Sequence, residues 1–144
     1  MAEVWPQEGL DYLLSIVPRS SQPPSYLWMG LFTSPGATVV IAPTEGMAQL
    51  SEVVGSFGYV RATISATFWG APTFYASGRQ ITATLVAFPT ADGVWGSVNG
   101  FFLSATSGPS RGAVLFAANF DDNTQLPIAT FDRVSVQPAI KFGY

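Results

Sequence analysis

The chain has 144 residues, 48% of them apolar and 14% aromatic but only 10% charged, which fits one domain with enough buriable surface to exclude disorder. Six Lys and Arg against nine Asp and Glu give a net charge of −3, and that argues against a nucleic-acid partner, because phosphates demand clustered positive charge. So little charge leaves apolar surface in excess, and a homo-oligomer or larger assembly is the expected cover.

In chain order, Pro6 to Val17 is predicted to be a helix. Pro6 suits a helix start, Glu8 and Asp11 favour the positive end of the dipole, and Leu10, Leu13, Leu14 and Val17 recur at three- and four-residue spacing. Pro18 stops it, and residues 18–25 read as a Pro-rich linker. Tyr26 to Phe32 reads as a buried strand, residues 33–46 as a long loop, and Met47 to Val54 as a short helical turn. From Gly58 onward the pattern is β. Strands are predicted over Tyr59 to Thr67, at Phe74-Tyr75 as a short edge, and over Ile81 to Phe88, Trp95 to Leu103, Ala113 to Phe120 and Arg133 to Ile140. Turn clusters separate them at Ala91-Asp92-Gly93, Ser107-Gly108-Pro109 and Asp121-Asp122-Asn123. This spacing predicts an all-β fold, an antiparallel sandwich or jelly roll with a short N-terminal α-helix. Residues 1–24 form a helical arm and linker in this reading, and residues 25–144 form the β domain.

The chain contains neither His nor Cys. Disulfides, thiolate chemistry and metal sites built on imidazole or thiolate are therefore excluded, and a Ser or Thr nucleophile would lack its usual base. A carboxylate pair is the remaining catalytic option, with Asp121, Asp122 and Asp132 as the candidates for it. All three sit where turns place solvated Asp, and turn formation is the reading adopted. Asp121-Asp122-Asn123 also lacks the alternating acids, Gly and distal Glu of a calcium loop. No enzyme activity, cofactor or metal is expected. The cations Arg19, Arg61, Arg79, Arg111, Arg133 and Lys141 are scattered, and no apolar run approaches the roughly 18 residues of a membrane span. A membrane partner is therefore not expected either. No basic segment precedes an apolar one at the start of the chain, so cytoplasmic synthesis is the expectation.

Aromatic residues divide into two groups. Trp28, Phe88, Trp95, Phe102 and Phe116 lie in strand-like segments and read as core. Trp5, Trp69, Phe74 and Tyr75 lie beside or near Pro or Gly outside a clear alternation. A protein interface, core packing and carbohydrate stacking all use such residues. Candidate interface residues are Trp5, Tyr12 and Arg19 on the arm, Trp69, and Phe74, Tyr75 and Arg79 on a loop.

Several stretches are similar, in order, to small structural proteins of tailed bacteriophages. Trp5-Pro6-x-x-Gly9-Leu10-x-x-Leu13-Leu14 followed by Leu27-Trp28-Met29-Gly30-Leu31-Phe32-Thr33 resembles their opening helix and "Leu-Gly-Leu-Phe-Thr" strand. Gly58-Tyr59-Val60-Arg61 with Trp69 downstream resembles their "Gly-Tyr-Ala-Arg … Trp" stretch. Phe88-Pro89-Thr90-Ala91, Trp95-Gly96-x-Val98-x-Gly100-Phe101-Phe102-Leu103 and Gly112-Ala113-Val114-Leu115 resemble their core. The resemblance implies a virion component at the capsid surface, made in the host cytoplasm. A capsid decoration (cement) protein is the expectation, trimeric and bound to the major capsid protein. A tail, baseplate or fibre component with a receptor- or glycan-binding role is the alternative.

Overall fold

The computed structural model describes residues 3–16, 24–33, 50–53, 55–76, 78–107, 114–120 and 124–142. At its centre are three strands with apolar side chains at nearly every position: β2 (Tyr26–Phe32), β8 (Gly100–Ser104) and β9 (Val114–Asn119). Such runs belong to strands buried on both faces, whereas a half-exposed strand alternates. The two short strands β1 (Glu3–Val4) and β3 (Ala62–Ser65) extend them into a five-stranded antiparallel sheet of order β1-β9-β8-β2-β3.

The period of two, broken by a bulge at Leu115 in β9, then sorts the central strands into two clusters. Met29, Leu31, Phe101, Leu103, Phe116 and Ala118 face the main core. Phe32, Phe102, Val114 and Ala117 lie on the other face with Leu50. Gly30 pairs with Phe102 and Phe32 pairs with Gly100, and each ring lies over the opposing glycine. The rings thereby fill the gaps that the missing side chains leave.

The remaining strands form ribbons. Strand β4 (Thr73–Tyr75) pairs with β5 (Gly78–Thr82), and β5 with β12 (Ala139–Phe142). Strand β6 (Val86–Ala87) pairs with β11 (Ser135–Val136), and β7 (Gly96–Val98) with β10 (Leu126–Ile128).

The β5–β12 and β6–β11 pairs belong to one ladder. Arg79 faces Phe142 and Thr82 faces Ala139. The Ala83 N–H donates to Pro138, Val86 faces Val136, and the Phe88 and Ala91 N–H groups donate to Val134 and Asp132. The register slips by one residue around Thr84-Leu85, as a bulge produces. Val86, Phe88, Val134 and Val136 from this ladder join the main core with the sheet residues above.

Helix α1 (Gln7–Ile16) follows Pro6, whose carbonyl accepts the Gly9 and Leu10 N–H groups at 2.9 and 3.0 Å. It packs on β9, while β1 ahead of it hydrogen-bonds to the same strand. Residues 3–16 thus share the five-stranded sheet with the body.

Among the described residues the fold is mostly β and antiparallel with one short α-helix, as expected at that level. Its details depart from the expected elements where tertiary pairing overrides local pattern. The stretch Tyr59 to Thr67 is strand only over β3, then turns through a 3-10 segment at Ala66–Phe68. Ile81 to Phe88 is divided at the bulge, and Trp95 to Leu103 is divided at Asn99. Residues 50–53 are not helical: the Thr33 and Val53 N–H groups donate to Ser51 and Leu31, and Glu52 bridges to Phe32. They lie along β2 beyond the end of β3. The rest of that predicted turn, most of the 33–46 loop and the Asp121-Asp122-Asn123 turn lie outside the described residues, as does most of the 18–25 linker.

Gly9 permits the closest contact between helix and sheet. A Cβ there would sit 2.5 Å from the Leu115 carbonyl oxygen and 2.8 Å from Leu115 Cα. Ala is the better helix former by about 1 kcal/mol, yet backbone on both sides leaves the methyl no room. Gly9→Ala is expected to lose about 1–3 kcal/mol in urea unfolding. An unchanged midpoint would show that helix and sheet separate without cost.

Candidate interaction surfaces

The most polar part of the interior is a cluster beside β2. Arg61 meets Glu52 in a bidentate pair, Nε to Oε1 at 2.8 Å and Nη2 to Oε2 at 2.7 Å. Its Nη1 donates to the Thr106 carbonyl at 2.8 Å, and its guanidinium lies 4.9 Å from the Phe102 ring centroid. The Tyr59 hydroxyl donates to Glu52 Oε1 and accepts the Leu31 N–H, both at 2.9 Å. Burial, then the Glu52 carboxylate, push the Tyr59 phenol far above its ordinary pKa, so it keeps the proton it donates. An open hollow of about 200 Å³ adjoins the cluster, lined by Tyr59, Val60, Arg61 and Ser107 among others. This cluster holds segments together, and its charges are already matched.

That matching makes a stability prediction. Arg61→Met strands a buried carboxylate and is expected to cost about 3–5 kcal/mol. The double variant Arg61→Met/Glu52→Leu is expected to cost less than the single one. A double variant as unstable as the two single losses combined would contradict the pairing.

The candidate interface residues fall into separate places. Trp5 packs edge-on against Phe116 at 5.1 Å and adds to the main core. Tyr12 and Trp69 come together, lining an open groove of about 280 Å³ between α1 and the β2–β3 edge with Leu13, Ile16, Tyr26 and Leu27. Partial burial raises the Tyr12 pKa. Trp69 also packs against the main core. Arg19 lies outside the described residues.

Phe74, Tyr75 and Arg79 share the β4–β5 hairpin. Phe74 is 82% exposed, with the Arg79 guanidinium 4.5 Å from its ring centroid. Lys141 of β12 sits 4.3 Å from the Tyr75 ring centroid, and its ammonium is 3.7 Å from Glu3. Among the described residues no strand pairs with the outer edge of β4. The hairpin turns through Ala76 at φ 47°.

A second set of exposed aromatics lies at the other end of the long ladder, and no residue pattern marks it. Phe57 and Phe131 are exposed, Phe131 by 81%, as is Val94 beside them in the chain of turns. Their loops are tied by backbone bonds: Asp92 N–H to Phe57 O at 2.9 Å and Phe131 N–H to Ala91 O at 2.7 Å. Trp95 Nε1 also donates to Phe57 O. Both phenylalanines have left-handed backbones, φ 56° at Phe57 and 71° at Phe131, where bulky residues are rare. Asp132 serves this turn, its Oδ2 accepting the Ala129 N–H at 2.8 Å.

No protein-family model and no curated protein sequence matches this chain.

Strained backbone under an exposed ring is the reverse of what stability favours. Phe131→Asn removes little packing and suits the left-handed region. It is expected to raise stability by about 0.5–1 kcal/mol in urea unfolding. A loss of more than about 1 kcal/mol would instead give the ring a role in holding the fold.

Proposed function

We propose that this chain is a structural protein of a tailed-phage virion, a decoration (cement) protein on the outer surface of the capsid shell. The observation that carries the reading is the exposure of Phe74 and Phe131, each about four-fifths open, on a domain with only 10% charged residues. Large aromatics in such positions are anchors for protein contact. The ordered resemblance to small phage structural proteins supports the same reading. A main core shared by the sheet and the long ladder supports a β-sandwich of jelly-roll type as the finer architecture.

In this role the chain forms a homo-oligomer, a trimer in this proposal, and binds the major capsid protein. Symmetry multiplies each modest contact over many copies, so weak sites sum to a large effect on the shell. The protein is made in the host cytoplasm and works at the capsid surface. No catalytic group or cofactor takes part.

The groove of Tyr12, Tyr26 and Trp69 favours one second reading, a tail or fibre part that binds glycans, because aromatic faces stack on sugars. Sedimentation with empty expanded shells of the source phage separates the two. Under the decoration reading the chain co-sediments at a saturable ratio and raises the temperature at which shells rupture. If it stays in the supernatant and instead binds a glycan array, the tail reading replaces it.

A further inference from the structure

The long ladder places two exposed aromatic groups at its opposite ends. One end holds Phe74 and Tyr75 beside Arg79, where Arg79 faces Phe142. The other holds Phe57 and Phe131, where Phe131 bonds to Ala91. Twelve residue steps separate Arg79 from Ala91, at most about 40 Å of strand. The two groups are therefore attached at different ends of the ladder, as two surfaces.

Their charges differ in sign. Around the hairpin Arg79 lies over Phe74 and Lys141 over Tyr75, and Glu3 pairs with Lys141. Around the far turns Asp92 and Asp132 stand beside Arg133, all three exposed. A contact between two hairpins would set Arg79 and Lys141 against their own copies. A contact between two far ends would set Asp92 and Asp132 against theirs. With Glu3 set against Lys141 and Arg133 set against one of the two aspartates, the hairpin end keeps a net positive charge and the far end a net negative one, so hairpin to far end is the contact that brings opposite net charges together over apolar rings.

We infer that the hairpin end of one copy docks on the Phe57–Phe131 end of the next, so that the chain associates head to tail. Such a heterologous contact uses two different surfaces of each copy and closes into a ring or runs on as a line. The stacked cations stiffen Phe74 and Tyr75 in place before contact, and the tied turns do the same for Phe57 and Phe131. Less ordering is then left for association to impose. The inference rests on the proposed homo-oligomer and names its two surfaces.

Sedimentation equilibrium of the purified chain, without shells, tests it apart from shell binding. The variants are Phe74→Ser and Phe131→Asn, both at highly exposed rings, with circular dichroism melts to confirm that each folds. Wild type is expected above the monomer mass, and each variant at least tenfold weaker in self-association. An equimolar mixture of the two variants is expected to recover a two-chain species, because one supplies an intact hairpin and the other an intact far end. Three results overturn the inference: a monomeric wild type at about 1 mM, one variant that associates like wild type, or a mixture that stays monomeric. In the second case, a variant that also loses shell binding assigns its ring to the shell. A head-to-tail oligomer that never binds shells leaves the inference standing and removes the capsid role.

Discussion

With few charges available, this chain buries a bidentate Arg61–Glu52 pair, and the arrangement around β2 depends on it. Strand β3 covers β2 only as far as Met29. Beyond that point residues 51–53 take over the edge, and Tyr59 accepts the Leu31 N–H that would otherwise be buried without a partner. Arg61 joins this edge to the end of β8 through the Thr106 carbonyl and roofs Phe102, whose ring lies over Gly30. Two charges in an apolar interior are tolerable only when each is matched, and here each guanidinium nitrogen has an acceptor. The pair fixes the path of the chain into β3, and with it the start of the ribbons.

How much of this is legible in the residues depends on the range of the interaction. Helix α1 and strand β2 are readable because their periodicity is local: apolar steps of three and four in one, a continuous apolar run in the other. Strands β1 and β10 escape because two or three residues carry no period, and they exist only because β9 and β7 offer them an edge. The bulge at Thr84-Leu85 escapes for the same reason, since it is set by the partner strand. Glu52 and Arg61 stand nine positions apart in segments with no shared pattern, so their pairing is visible only once the chain is folded.

The interface candidates divide along the same line. Trp5 and Trp69 stand near Pro and Gly, yet both pack on the core, because neighbouring turn residues do not fix which way a ring points. Phe74, Tyr75 and Arg79, read from the sequence as a loop group, are brought together by the pairing of β4 with β5, which no Gly or Asn at Ala76 announces. Phe57 and Phe131 were hidden because an aromatic in a turn reads equally as core, and a left-handed backbone is not expected of phenylalanine.

Few charges, matched buried polar groups and rings held in the open support the proposal of a domain whose surface is completed by other chains. Buried side chains account for the fold, while Phe74 and Phe131 contribute little to it and stand ready for contact. That division is the central claim, with the phage shell as the proposed setting. Its most direct test is the amount of this chain in intact purified particles, measured by quantitative mass spectrometry against the major capsid protein. A fixed stoichiometric ratio to the shell subunit, retained through repeated washing, is the predicted result. Absence from the particle, or only the few copies of a tail part, would contradict it.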